Sequence, residues 1–180
     1  VVSLRGSNDG LGSGARFAAP QGLVCDAAGN LFVADTGNHV IRKITSAGVV
    51  TTFAGSPGVV GSGNAPYGGA AYFNAPNGIS IDGTGTLYVA DTGNLLIRKI
   101  TPASAVSTVA GQAGNSGTIN ASTGTSAKFT NPTAVTSDTS GNLLVLDGNT
   151  VRQVSNAGAV TSGSVTTVAG SAASGAVDDT

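Results

Sequence analysis

Short apolar runs separated by turn residues repeat along the whole chain. The most apolar of them cover residues 31–35, 87–91 and 143–147, and each follows a shorter run at residues 22–26, 78–82 or 134–138. A third set lies at residues 40–44, 96–100 and 151–154, and a fourth at residues 49–55, 106–111 and 165–170. Runs of this length, bounded by Gly, Asp and Asn, predict four short β-strands per unit, and no 3.6-residue periodicity indicates a helix.

Six aspartates occupy two equivalent turn positions in these units. Asp26, Asp82 and Asp138 follow the first strands, and Asp35, Asp91 and Asp147 follow the second strands. A carboxylate in a turn accepts backbone hydrogen bonds, and the glycines near it supply a positive φ. We therefore interpret these aspartates as structural turn residues and not as metal ligands, because a calcium site needs several oxygen ligands that converge.

Phenylalanine and proline recur at a fixed spacing of 56 residues. Each unit opens with the pattern Ala-x-Phe-x-x-Pro, which places its aromatic residue at Phe17, Phe73 and Phe129. A fixed period of this size is typical of solenoids and propellers, in which each unit buries its apolar surface against a neighbour. Four antiparallel strands in sequential order, joined by short turns, predict the blade of a β-propeller.

The segment from residue 29 to residue 44 resembles an NHL repeat, whose name comes from an Asn-His-Leu type of triplet. That triplet occurs here as Asn38-His39-Val40 and again as Asn94-Leu95-Leu96. The resemblance implies a β-propeller, six-bladed in most relatives. The predicted fold class is all-β: an NHL-type β-propeller with three four-stranded antiparallel blades and one extra N-terminal outer strand, as part of a six-bladed propeller.

The repeat also predicts the boundaries of the blades. Blade 1 is expected at residues 15–55, blade 2 at residues 71–111 and blade 3 at residues 127–170. Residues 1–6 align with residues 106–111 and are predicted to be the outer strand of a preceding blade, and residues 171–180 a connection toward a further blade. Because a closed propeller has about four to eight blades, we expect a single propeller domain or part of one in a longer chain.

Charge is scarce, since 9% of the residues are charged and the formal net charge is −1. Globular proteins usually carry about a quarter of charged residues. The chain lacks the basic footprint of a nucleic-acid-binding protein and any apolar run suited to membrane insertion. A surface rich in Gly, Ser and Thr favours an extracellular or cell-surface location. The single cysteine, Cys25, is expected to be a small buried thiol.

Residues suited to catalysis are few. The one histidine, His39, lies in a turn where the next unit has Leu95, and all nine acidic residues are Asp. A nucleophile needs a positioned base, and no Gly-x-Ser-x-Gly pattern occurs. We predict no catalytic residue, no bound metal, no cofactor and no enzymatic activity. The repeated Arg42, Arg98 and Arg152 are expected to pair with an Asp of a neighbouring blade or to cover apolar surface.

Two long connections between blades, residues 56–67 and 112–125, are the candidate contact regions or else plain surface loops. The predicted contact residues are Ser56, Pro57, Asn64, Tyr67, Gln112, Asn115 and Asn120. The expected partner is a protein or a glycan, or further copies or remaining blades of the same chain. Because loop length affects stability only slowly, we expect a short Gly-Asn hairpin to replace either connection without loss of folding.

Three functions remain open at this point. The first is a non-enzymatic extracellular NHL-type scaffold for protein or glycan binding or for assembly. The resemblance to NHL-like propellers also allows a fragment of a metal-dependent lyase or lactonase whose catalytic residues lie in other blades. The third is a structural subunit that joins copies into a fibre or ring through unpaired strand edges.

Overall fold

Three antiparallel β-sheets follow one another in the computed structural model, which describes residues 6–155 and 163–171. Blade 1 contains β1 (Gly10–Leu11), β2 (Gly22–Cys25), β3 (Leu31–Asp35), β4 (Val40–Ile44) and β5 (Val49–Ala54). Blade 2 contains β6 (Pro76–Ile81), β7 (Leu87–Asp91), β8 (Leu96–Ile100) and β9 (Val106–Ala110). Blade 3 contains β10 (Pro132–Ser137), β11 (Leu143–Asp147), β12 (Thr150–Val154) and β13 (Val165–Gly170). The predicted all-β propeller architecture is confirmed.

Apart from β1, each sheet is a meander in which strands that are consecutive in sequence pair with one another. The second strand of every blade begins and ends at the predicted residues, because its apolar run stops at the Asp of the next turn. The pairing of the third and fourth strands shifts by one residue just before Arg42, Arg98 and Arg152. Such a β-bulge re-aims the side chains next to it.

The additional N-terminal strand is β1, which pairs with β5 on the outer edge of blade 1. Residues 1–5 and 172–180 lie outside the described residues, so most of the predicted strand 1–6 and connection 171–180 do as well. The carbonyl of Gly6 accepts a hydrogen bond from Asn38 at 2.7 Å, as the carbonyl of Gly61 does from Asn94 at 2.6 Å. Gly6 therefore corresponds to Gly61 in the connection and not to Gly111.

The blades lie face to face, with the first strands β2, β6 and β10 side by side. Their approach is close, since a Cβ added to Gly78 in β6 would lie 2.6 Å from the Cα of Ala134 in β10. Only glycine permits such an approach of two backbones.

Two apolar cores join the three blades. The core between blades 1 and 2 contains Phe32, Ala34, Ile41, Ala54, Ala71, Phe73, Ile79, Leu87, Val89, Ile100 and Val106. The core between blades 2 and 3 contains Tyr88, Ala90, Ile97, Val109, Ala110, Ala127, Phe129, Val135, Leu143, Val145, Val154 and Val165. Burial of apolar side chains between sheets is the main favourable term for such an assembly.

The opposite side of blade 1 has no blade packed on it among the described residues. A surface groove of about 290 Å³ runs there, lined by Phe17, Leu31, Val33 and Ile44. Blade 2 has the same residue types at the matching positions, where they are buried. Cys25 is exposed at the end of β2, so the prediction of a buried thiol is wrong. Its burial would require a blade on this side.

A buried arginine ties each blade to the connection that precedes it. In blade 2, Nη1 of Arg98 donates to Oδ2 of Asp91 at 2.9 Å, and both side chains are fully buried. The guanidinium lies 5.1 Å from the centre of the Phe73 ring. Nη1 also donates to the carbonyl of Tyr72 at 3.0 Å, and Nη2 donates to the carbonyl of Gly63 at 3.0 Å and to Oδ1 of Asn64 at 2.9 Å. We call this arrangement the Arg cluster.

The Arg cluster recurs in the other two blades. Blade 1 forms it with Asp9, Phe17, Asp35 and Arg42, and blade 3 with Asn120, Phe129, Asp147 and Arg152. Each arginine pairs with an Asp of its own blade, so the expected pairing with a neighbouring blade is wrong. The two groups are seven residues apart in blades 1 and 2, on the two strands of one hairpin close to its turn, which brings them together before any second blade is needed.

Replacing Arg98 by Met should strongly destabilise the chain. The change leaves the buried Asp91 carboxylate without its cation, and loss of one partner of a buried pair costs about 3–5 kcal/mol. The control is Lys128→Met, which removes one exposed hydrogen bond to Asn115 and should cost less than about 1 kcal/mol. Urea unfolding followed by circular dichroism measures both. Equal costs for the two variants would contradict a central role for the Arg cluster.

Candidate interaction surface

The two long connections do not hang free between the blades but follow the outer edge of the next blade. Ala65 pairs with Val106 of β9, and Ala121 pairs with Val165 of β13, both in antiparallel bridges. Strand β1 occupies the matching place on β5 of blade 1. Each connection therefore adds a short outermost element to the blade that follows it.

Asn64 and Asn120, two of the predicted contact residues, anchor these connections. Oδ1 of Asn64 accepts from Arg98 at 2.9 Å and from the Thr108 hydroxyl at 3.1 Å. Oδ1 of Asn120 accepts from Arg152 at 2.8 Å and from the Thr167 hydroxyl at 3.2 Å. Replacement of residues 56–67 by a short hairpin would remove Arg98 acceptors, so we no longer expect such a variant to fold normally.

The anchoring residue stands at a nearly fixed distance before the phenylalanine of the Arg cluster. Counted back from the aromatic residue of the cluster, Asp9 lies eight residues before Phe17. Asn64 lies nine residues before Phe73, and Asn120 occupies the same place before Phe129. This near-constant spacing between a residue with a side-chain oxygen and the phenylalanine is the sequence feature that identifies the anchor.

The remaining predicted residues separate into two groups. Ser56 and Pro57 form a turn in which the Ser56 carbonyl accepts from Val59 at 3.0 Å. Gln112 and Asn115 bond to each other at 2.9 Å, in the second connection. Tyr67 is exposed over 61% of its surface. Exposed apolar side chains occur in both connections, since Ile119 of the second is 50% exposed.

Three apolar side chains on and just after the first connection are exposed to solvent. They are Val59, Val60 and Tyr72, which are 44%, 54% and 38% exposed, and we call them together the Tyr72 surface. Residue 60 pairs with residue 73 in a parallel bridge, so this strip of the connection runs beside the chain at Tyr72. A Cβ on Gly61 or Gly63 would come within 3.0 or 3.1 Å of the Tyr72 side chain, which therefore lies flat over these two glycines.

Tyr72 occupies a position that differs in each blade. The residue directly before the cluster phenylalanine is Arg16 in blade 1, Tyr72 in blade 2 and Lys128 in blade 3. Its carbonyl always accepts a hydrogen bond from the buried arginine, at 2.9, 3.0 and 3.2 Å. The backbone at this position is thus fixed by the Arg cluster, while the side chain is free to differ.

The aspartates of the first turns line two grooves between neighbouring blades. One groove, of about 550 Å³, lies between the turns of Asp82 and Asp138, and another, of about 520 Å³, between those of Asp26 and Asp82. Oδ1 of Asp26 accepts from the backbone of Ala28 and Asn30, at 2.9 and 2.8 Å. Asp82 and Asp138 accept backbone hydrogen bonds in their own turns in the same way.

Hydrogen bonds also set the protonation of these carboxylates. The side chain and backbone of Asn30 lower the pKa of Asp26, and Asn142 lowers the pKa of Asp138 in the same way. For Asp82 burial acts in the opposite direction, but hydrogen bonds from Thr84 and from residues 86 and 88 hold its pKa low. All three turns therefore carry negative charge at neutral pH.

Clusters of possible metal ligands were sought in the part of the chain that the structure describes. No three His, Cys, Asp or Glu side chains come together there as metal ligands would. His39 has a different contact, since its Nδ1 accepts from the backbone N–H of Ala75 in blade 2 at 3.0 Å. Within the same residues we find no helical segment with the length and hydropathy of a membrane span.

Comparison with known proteins identifies the repeat. Residues 73–100 match the family model of the NHL repeat. The chain is 38% identical over 96 residues to the protein SUPPRESSOR OF QUENCHING 1, chloroplastic, of Arabidopsis thaliana. That match covers 53% of this chain and 9% of the plant protein, so the chain spans a small part of its relative.

Solved structures show the same architecture. A protein of unknown function from Bacteroides thetaiotaomicron has a TM-score of 0.65 and 27% identity, and the match covers 71% of this chain and 32% of that one. The virginiamycin B lyase of Staphylococcus aureus has a TM-score of 0.55 and 16% identity, with 83% and 41% coverage. An identity this low shows a shared fold alone.

Asn64→Ala should destabilise the protein by about 1–3 kcal/mol, because it leaves the buried Arg98 without one acceptor. Asn64→Asp should be tolerated, since blade 1 has Asp9 in that place, 2.7 Å from Arg42. The control is Asn115→Ala, an exposed amide of the other connection, with an expected effect within about 0.5 kcal/mol. Urea unfolding compares the three variants. A neutral Asn64→Ala would show that Asn64 is not an anchor.

Tyr88 should ionise unusually late. Burial, together with the Asp82 carboxylate, raises the pKa of Tyr88 from 10.0 to about 12. The neutral phenol therefore favours the folded state, and its contribution to stability is complete below pH 10 and is lost as the pH rises toward 12. Ultraviolet titration should show one late phenol that Tyr88→Phe abolishes.

The cause of the Tyr88 shift can be tested in the same titration. Asp82→Asn should lower the pKa of Tyr88 but leave it above 10.0, because burial is the larger cause. A late phase that survives in Tyr88→Phe would assign the shift to another tyrosine.

Proposed function

We propose, from the premise that this chain belongs to the NHL-repeat β-propellers, that it is a non-enzymatic scaffold that binds a protein partner on the Tyr72 surface. We further propose that it works outside the cell or at the cell surface. The observation that carries the proposal is the exposed side chain of Tyr72, whose backbone carbonyl is held by the buried Arg98, together with the exposed Val59 and Val60 of the first connection.

The Tyr72 surface has the composition of a protein contact. Exposed apolar patches on folded proteins mark interaction sites, and tyrosine is enriched where binding energy concentrates. Val59 and Val60, in the strip of chain that pairs with residue 73, add exposed branched aliphatic surface. The backbone beneath the ring is fixed through the carbonyl bonds to Arg98, so little order has to be gained on binding.

A protein fits this surface better than a sugar. Glycan recognition relies on side chains that pair with many hydroxyl groups, but Oδ1 of Asn64, in the same connection, already accepts from Arg98 and Thr108. Blades 1 and 3 carry Arg16 and Lys128 where blade 2 has Tyr72. The proposed contact is therefore specific to blade 2 and is not a general property of the repeat.

The polar groups repeated in every blade support a scaffold and not an enzyme. The aspartates of the second turns are engaged by buried arginines, and those of the first turns by backbone N–H groups. His39 accepts a backbone hydrogen bond across the blade interface. A general base needs a free lone pair directed at a substrate, and these groups have theirs occupied.

A photo-cross-linking amino acid at position 72 tests the contact, with the same amino acid at position 128 as the matched control. Each version is incubated with the extracellular fraction of the source organism and irradiated. We expect a discrete protein adduct at position 72 that Val60→Asp abolishes, and none at position 128. The adduct is identified by mass spectrometry, and binding is then measured with the purified partner.

In that binding assay Tyr72→Lys should weaken affinity at least tenfold, about 1.4 kcal/mol, with unchanged stability, because blade 3 carries Lys at this position. Lys128→Tyr should leave the affinity unchanged. Equal adducts at positions 72 and 128 would refute the assignment. Binding to a glycan array that Tyr72→Lys abolishes, without any protein adduct, would replace the protein partner by a sugar.

A further inference from the structure

The second connection contains a three-residue pattern that the first connection lacks. Asn120-Ala121-Ser122 is the single Asn-x-Ser/Thr triplet of the chain whose middle residue is not proline. The triplet that begins at Asn131 has Pro132 in the middle, which blocks modification. In secreted proteins such a triplet is an acceptor of N-linked glycans. We propose that Asn120 is an N-glycosylation site, an inference that rests on the proposed extracellular location.

The geometry of Asn120 suits the modification. Its Oδ1 accepts from Arg152 at 2.8 Å and from Thr167 at 3.2 Å, and the residue is exposed. Two donors thus hold the carbonyl side of the amide against the blade. The described residues provide no acceptor for Nδ2, which is the atom that carries the sugar. A glycan on Nδ2 leaves Oδ1 an amide oxygen, so the anchor to Arg152 survives the modification.

The chemistry is a glycosyl transfer from a lipid-linked oligosaccharide of the secretory pathway. A bond forms between Nδ2 and C1 of the first sugar, and the bond between C1 and the pyrophosphate oxygen breaks. The amide loses one proton to the transferase, and the lipid pyrophosphate departs with the electron pair. Nothing is oxidised or reduced.

At equivalent positions, one connection would then carry a glycan and the other would not. Asn64 is the counterpart of Asn120, but Pro66 stands where Ser122 would complete the triplet, so blade 2 stays unmodified. A hydrated oligosaccharide on blade 3 covers the surface near Lys128, whereas the Tyr72 surface of blade 2 remains uncovered. Glycosylation would thereby direct the protein partner to blade 2.

The test uses the 180-residue chain, secreted from cultured mammalian cells behind a heterologous signal sequence. Intact mass is measured before and after peptide N-glycosidase, which converts a glycosylated Asn to Asp. We expect one oligosaccharide on the native chain and Asp at position 120 after the enzyme. Ser122→Ala, which changes an exposed hydroxyl, should carry none. Pro66→Ser should carry two, on Asn64 and Asn120.

The outcomes separate cleanly. A secreted native chain without a glycan overturns the proposal. A glycan on Asn64 of Pro66→Ser would then show that the cells can modify this fold and that Asn120 in particular is not an acceptor. A glycosylated chain that melts well below Ser122→Ala also overturns it, because the glycan would then break the anchor. Partner capture is measured on Ser122→Ala, so a failure at Asn120 leaves the test of the Tyr72 surface unaffected.

Discussion

The buried arginine of each blade is the interaction on which the rest of the structure depends. Removing a guanidinium and a carboxylate from water is costly, and the cost is offset only if nearly every donor finds a partner. In blade 2 those partners come from three places: Asp91 at the end of β7, Asn64 in the connection, and the carbonyls of Gly63 and Tyr72. The hydrogen bonds of this one arginine therefore fix the backbone path of the connection between Gly63 and Phe73. The flat ring of Phe73 under the guanidinium adds a contact that neither lysine nor an aliphatic residue would reproduce.

The sequence predicts the strands well because their signals are local. An apolar run that stops at Asp, as at residues 87–91, defines a strand and its turn together, and the structure places β7 at those residues. Burial that depends on a neighbouring blade is harder to predict from the sequence. Phe17 and Phe73 are the same residue in the same motif, yet one lines an open groove and the other is fully buried. Cys25 was misjudged for this reason, since its burial depends on a second blade and not on its own strand.

The candidate site was only partly predictable for a related reason. Asn64 and Asn115 both stand in glycine-rich connections, and nothing in their immediate neighbours separates an anchor from an exposed amide. The difference lies in the distance to the cluster phenylalanine, which becomes visible only when the units are aligned on that residue. Tyr72 was overlooked because it lies inside the repeated motif itself, at the variable position between Ala71 and Phe73. Residues inside a repeated motif are usually interpreted as structural. At Tyr72 only the backbone carbonyl has a structural role, as an acceptor for Arg98, and the side chain can vary.

This division explains how a repetitive fold can acquire distinct surfaces. The Arg cluster uses the carbonyl of the variable residue and the side-chain oxygen of the anchor, so neither the side chain before the phenylalanine nor the amide nitrogen of the anchor is constrained. Before the phenylalanine, blade 2 has Tyr72 and blade 3 has Lys128. After the anchor, Pro66 prevents an Asn-x-Ser/Thr triplet in blade 2, whereas blade 3 has the complete triplet at residues 120–122. The side chain can therefore change at these two positions while the bonds of the buried arginine are kept. An enzyme site would require the opposite arrangement, in which polar side chains from several blades are released from structural bonds and converge on one point.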